Sequence, residues 1–235
     1  MSWNIVELRK RVQEKFGTAQ AELLEPSLRS IADRQFFAHF HYTQALEILA
    51  DHLDGVEPAE RFMLEFGPPN VQAAEYRASK KRASAHIVAC LQNMHSLSDT
   101  FSHTVYFALG LNRNHDTSLK DRDISMANVA AKIANQAALA GIAAQLARLR
   151  NHSAYVHVDA IVNQSKHRSL VRSVVNHSVA SDAPKEWTVQ LEGFVRNEKV
   201  YLLTPIQPFL RDEMLRQTQI IVDIGVNINQ ILPTL

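Results

Sequence analysis

Residues 70–109, NVQAAEYRASKKRASAHIVACLQNMHSLSDTFSHTVYFAL, form a run of forty with neither Gly nor Pro. Such a run predicts one long helix, or two separated by a kink, ended by Gly110 and Asn112. At helical spacing, Ile87, Leu91, Met94, Leu97, Phe101 and Val105 fall on one arc. The opposite arc carries Gln92, His95, Ser96, Asp99, Thr100, His103 and Thr104. Between Arg82 and Arg113 the only formal charge is Asp99, and between Asp123 and Arg148 it is Lys132. A surface helix normally carries charge on its outer face, so both stretches are expected to be central helices covered by the others.

Outward from this run, the pattern stays helical. A first helix is expected over Asn4–Leu24, broken at Glu25-Pro26-Ser27 because Pro moves its preceding residue out of the α region. A second runs over Ser27–Leu53, with a short piece at Ala59–Glu65. Asp123 or Ser125 caps an Ala-rich helix reaching Asn151, and a further helix covers Ser153–His167. The pattern then becomes β-branched and alternating in SLVRSVVNHSV (169–179), WTVQLEGFV (187–195) and KVYLLTP (199–205). Ser181–Pro184 and Asn197-Glu198 read as turns, and Pro208 opens a last helix over Phe209–Leu232. The fold class is therefore mainly α: an up-and-down helical bundle with a small three-stranded antiparallel β-meander before the C-terminal helix. It reads as one domain, with bundle 1–168, meander 169–206 and final helix 207–235.

Composition excludes several classes. The 235 residues are 46% hydrophobic and 21% charged, with seven Gly and eight Pro, which suits a packed core and not a disordered chain. A net charge of +1 argues against non-specific coating of nucleic acid, so any such contact must be local. The single Cys90 excludes a disulfide framework and a Cys-rich zinc module. The opening MSWNIVELRKRVQEKF places charges where a signal peptide needs an apolar run. No run of about 18 apolar residues occurs, so the expectation is a cytoplasmic protein without a membrane span.

Candidate chemistry lies in two stripes. His95, Asp99 and His103 stand at i, i+4, i+8, and so do Asp159, Asn163 and His167, the last flanked by Lys166 and Arg168. The second helix adds His39 and His41. Asp99 is expected to be buried, bonded to a histidine and linked to Asn163 or His167, because a buried carboxylate needs cations or donors. The stripes can be a structural polar layer, a lined pocket or an oligomer interface. Three ligands spread over two helical turns do not converge comfortably on one ion, and His-Glu-x-x-His and di-iron signatures are missing, so no metal or cofactor is expected. No Gly-x-Ser-x-Gly elbow or Gly-rich phosphate loop occurs. By contrast, 148–172 sets Arg148, Arg150, Lys166, Arg168 and Arg172 against the single acid Asp159, with His152, His157 and His167 interspersed. Arg forks hold phosphate and His moves protons near neutral pH, although cations at helix C-termini are also favoured for stability alone.

The segment RNHSAYVH (150–157), with Arg150-Asn151 followed by His157 after six intervening residues, resembles the HEPN group of helical proteins. That family carries an Arg, often followed by Asn, Asp or His, and then a His; its commoner spacing falls on Tyr155. The resemblance implies a metal-independent RNase of toxin or defence type, working as a homo-oligomer on RNA or another phosphate-containing ligand. In it Arg150 stabilises the phosphorane-like charge and His157 acts as base or acid. The alternatives are a non-catalytic helical binding or assembly protein with a structural His/Asp core, and a small-molecule or metal pocket around His95, Asp99 and His103.

Overall fold

A computed structural model of the chain describes residues 2–176 and 186–235. The fold is mainly α, with a small antiparallel three-stranded sheet before the C-terminal helix. Its helices are α1 (Ile5–Phe16), α2 (Thr18–Leu53), α3 (Pro58–Phe66), α4 (Val71–Ala108), α5 (Met126–Ile133), α6 (Ala140–Asn151), α7 (Ser153–His167) and α8 (Ile206–Ile231). The expected turn at Ser181–Pro184 lies outside the described residues. No helix among the described residues is long and apolar enough to cross a membrane.

Two helix boundaries differ from the sequence reading. The first break comes at Gly17, whose φ of 90° ends α1, and not at Pro26, which lies inside α2. Pro26 removes one donor, but its position is exposed, and Leu24 and Leu28 on either side of it are buried. Burial on both sides thus carries the helix through the proline. Conversely, the Ala-rich stretch 126–151 is two helices, α5 and α6, separated by Ala134–Gln136 and one 3-10 turn at Ala137–Leu139. Alanine lets α5 and α6 pack on each other, and Ile133 and Leu139 at the break are both buried. Long α4 is one helix, as the Gly- and Pro-free run predicts, and Gly110 ends it in the left-handed conformation.

The strands are β1 (Ser173–Val175), β2 (Val189–Leu191), β3 (Phe194–Arg196), β4 (Lys199–Tyr201) and β5 (Thr204–Pro205). The expected second and third runs each divide, at Glu192-Gly193 and at Leu202-Leu203. The sheet order is β1-β2-β5, with Val175 opposite Val189 and Leu191 opposite Thr204. Pro205 sits on an edge strand, where its missing donor is tolerated. A separate hairpin pairs β3 with β4, and Asn197 and Glu198 at its tip have φ of 48° and 64°, as a tight two-residue hairpin turn requires.

The chain divides into two compact units, each discontinuous in sequence. Unit 1 comprises Met1–Phe36, Asn93–Val156 and Glu213–Leu235; unit 2 comprises Phe37–Gln92 and His157–Asp212. The core of unit 1 is continuous and includes Leu8, Leu24, Phe101, Val105, Ile133, Leu146 and Ile224. At Gly225 a Cβ would fall 2.2 Å from the Trp3 ring, so only glycine lets that indole lie across α8 and reach the edge of Phe101. The buried residues of unit 2 include Leu49, Leu53, Tyr76, Ile87, Leu91, Ile161, Leu191 and Leu210.

Candidate functional site

In unit 1 the Arg-Asn pair stands where α6 gives way to α7. Leu146 and Leu149 bury one side of α6, which leaves Arg148, Arg150 and Asn151 exposed in its last turn. His152 adopts an extended conformation, breaks the helix, and accepts the Ala154 N–H on Nδ1 at 3.3 Å. The last turn of α6 is held from α8. Glu213 is fully buried and receives Arg216 through two hydrogen bonds of 2.6 Å, with the Gln217 amide donating at 2.9 Å. Arg216 also donates to the Leu149 carbonyl at 3.0 Å and to that of Arg148 at 3.4 Å, satisfying orphan acceptors at the helix end. His152 Nδ1 lies 3.6 Å from a Glu213 oxygen. Among the described residues the side chains of Arg148 and Arg150 make no hydrogen bond or ion pair. Sequence reasoning missed Glu213 and Arg216; their i, i+3 spacing in RDEMLRQ was the available signal.

Tyr155, where the closer HEPN spacing would place a histidine, is a core residue. It is 6% exposed, its hydroxyl lies 2.5 Å from Ser98 Oγ, and its ring is parallel to that of buried His95 at 6.4 Å. The remainder of that α4 stripe diverges. His103 is half-buried beside Phe107, and Asp99 is exposed. The expectation of a buried Asp99 is therefore corrected, and it makes no bond to a histidine among the described residues. Scarcity of charge did not mean that α4 was covered: Gln92 and Asp99 are exposed on it, and half-buried Ser96, Thr100 and His103 are polar enough to meet water uncharged. The same correction applies to 124–147, where residues 134–138 are exposed. Among the described residues no group of three or more His, Cys, Asp or Glu is placed to hold a metal ion. Cys90 is buried, and burial pushes its thiol up to about 12, which suits a core residue and not a nucleophile.

The other sequence candidates belong to unit 2. His157 is half-buried against three rings, those of Tyr201 and Phe209 at 5.0 Å and Phe194 at 6.0 Å. Burial, and then the nearby Lys199 ammonium, hold its pKa below the ordinary value of 6.5. The Asn163 amide donates to the Asp159 carbonyl at 2.9 Å and to its carboxylate at 2.8 Å, while Arg196 stands 3.9 Å from that carboxylate. Lys166, His167 and Arg168 are exposed at the C-terminal end of α7, and His167 makes no hydrogen bond among the described residues. Of the 159–163–167 stripe, only Asp159 and Asn163 are brought together. His39 is exposed, and His41 Nδ1 meets His86 Nδ1 at 2.9 Å. Burial and then His86 lower the pKa of His41.

These two depressed histidines set a pH dependence. The unfolded chain takes up their protons near pH 6.5, whereas the native chain does so only at lower pH. Between those values the unfolded state binds more protons, so stability falls as pH drops below about 6.5. Urea midpoints followed from neutral to mildly acid pH should show this fall. His157→Phe, which keeps a ring in the cage, should make it shallower; an unchanged profile would show that the cage does not oppose protonation.

No family model matches the chain, and neither a curated protein nor a solved structure matches it.

Proposed function

We propose that the protein is a HEPN-like, metal-independent ribonuclease acting as a homodimer, with Arg150 and His157 in catalytic roles. The observation that carries the reading is the state of Arg150. Arg150 is exposed and pairs with no acid among the described residues, on a helix end that Arg216 fixes by bonding the two preceding carbonyls. An exposed Arg fork on a fixed helix end is available to a phosphodiester. In cleavage, a histidine removes the 2′-hydroxyl proton, the 2′ oxygen attacks phosphorus, and the 5′ oxygen leaves with a proton. Arg150 stabilises the charge on the pentavalent phosphorus, and a paired copy supplies a second Arg–His set. His157, poised with a lowered pKa, serves as the base.

The test is cleavage of single-stranded RNA in EDTA by the wild type and by Arg150→Ala. The wild type should cut, and the variant should lose about a hundredfold or more in rate, the scale for removing one charge-stabilising donor. Sedimentation should give a dimer. Cleavage that needs a divalent ion, or that survives Arg150→Ala, sinks the reading.

A second reading is favoured by the His157 cage, because a ring packed on three aromatic side chains is placed as a structural residue places itself. In that case the protein binds phosphate-containing ligand without cutting it. RNA would then be retained intact, with a salt-dependent affinity that Arg150→Ala weakens.

A further inference from the structure

Unit 2 contains a cavity of about 740 Å3 that the Arg150 reading does not use. It lies between the N-terminal half of α4, residues 77–88, and the segment 170–173 that leads from α7 into β1. Its apolar lining includes Ile87, Val88 and Val171, of which Ile87 and Val171 are buried. Every charged residue among its described lining is a cation. Lys80 is neutralised by both Glu65 oxygens at 2.5 and 2.6 Å. Arg77, Lys81 and Arg172 are exposed and in no ion pair among the described residues; Arg77 donates only to the Glu65 carbonyl, which leaves its charge in place.

We propose that this cavity is a binding site for a monomeric anionic amphiphile, an anionic head on an aliphatic or aromatic body. The volume falls in the range that ordinary small-molecule pockets occupy. The apolar walls take the body, because burying hydrocarbon there removes it from water. The three cations that make no ion pair among the described residues take the head, and no carboxylate among those residues lines the cavity. A neutral amphiphile satisfies the walls but leaves the cations unused. A bare anion such as inorganic phosphate leaves the walls wet. Charge complementarity together with an apolar interior therefore selects a molecule that has both parts.

The experiment is calorimetric titration of the full chain with decanoate, decanol and inorganic phosphate, each kept below any aggregation threshold. Decanoate should bind, with decanol and phosphate each at least about tenfold weaker, the factor expected for losing one charge-assisted hydrogen bond. Lys81→Ala and Arg172→Ala replace exposed side chains and should each weaken decanoate several-fold at unchanged melting temperature. Val88→Trp, which fills the cavity, should abolish binding. Equal affinity for decanol, no effect of the two cation variants, or association only with anionic vesicles would each overturn the site. The nuclease assay is independent of this result, because neither Arg150 nor His157 lines the cavity.

Discussion

Replacing Glu213 by Ala should destabilise the chain by about 3–5 kcal/mol, the cost of breaking a buried ion pair by removing one partner. The Glu213 side chain is fully buried and that of Arg216 only 18% exposed, so the guanidinium left behind cannot reach water without leaving its place. Its two bonds to Glu213 vanish together, and the Gln217 amide loses its acceptor. Arg216 also caps the Leu149 and Arg148 carbonyls, so the loss should propagate to the last turn of α6. Urea denaturation measures the energy, and amide exchange around Arg150–Ala154 measures the loosening. Glu213→Gln keeps an acceptor and the packing volume and should recover part of the loss. A cost under about 1 kcal/mol for Glu213→Ala would place the pair in the class of surface bridges and refute its anchoring role.

Phe101→Ala should cost a similar amount, about 3–5 kcal/mol, for a different reason. Phe101 is 0% exposed within the core of unit 1, on the same face of α4 as Leu97 and Val105. Its removal forfeits the transfer energy of a whole ring and leaves a hole that helices on every side can only partly close. It also removes the edge contact to Trp3, whose ring lies at 6.2 Å and 86°. Trp3 also packs on Gly225, where a Cβ would fall 2.2 Å from its ring, and following the cavity would break that contact. The check is an unfolding curve together with indole fluorescence, which should shift to the red as Trp3 gains water. A cost below about 1.5 kcal/mol, typical of a volume-conserving swap, would mean that the core collapses around the hole.

What the sequence by itself determined is the set of elements written in short-range signals. A Gly- and Pro-free run with an apolar arc makes α4 a helix, and Gly110 ends it, because periodicity and a left-handed stop are local properties. Asn197-Glu198 makes a hairpin tip, and Pro208 falls in the first turn of α8, for the same local reasons. The mainly α fold and the sheet before the last helix were legible at that level. The tertiary structure alone decided where local signals conflict with burial. Pro26 stays inside α2, with buried Leu24 and Leu28 on either side of it, and α5 separates from α6 at a point with neither Gly nor Pro. It also decided the fate of polar side chains. Asp99 and His95 lie on one stripe, yet one meets solvent and the other the core, because a few tens of degrees around a helix separate the two. Glu213 reads in the sequence as one more surface acid on an amphipathic helix. Only the approach of the α6 carbonyls, which draws Arg216 inward, makes it a buried partner, and that approach joins residues far apart in the chain.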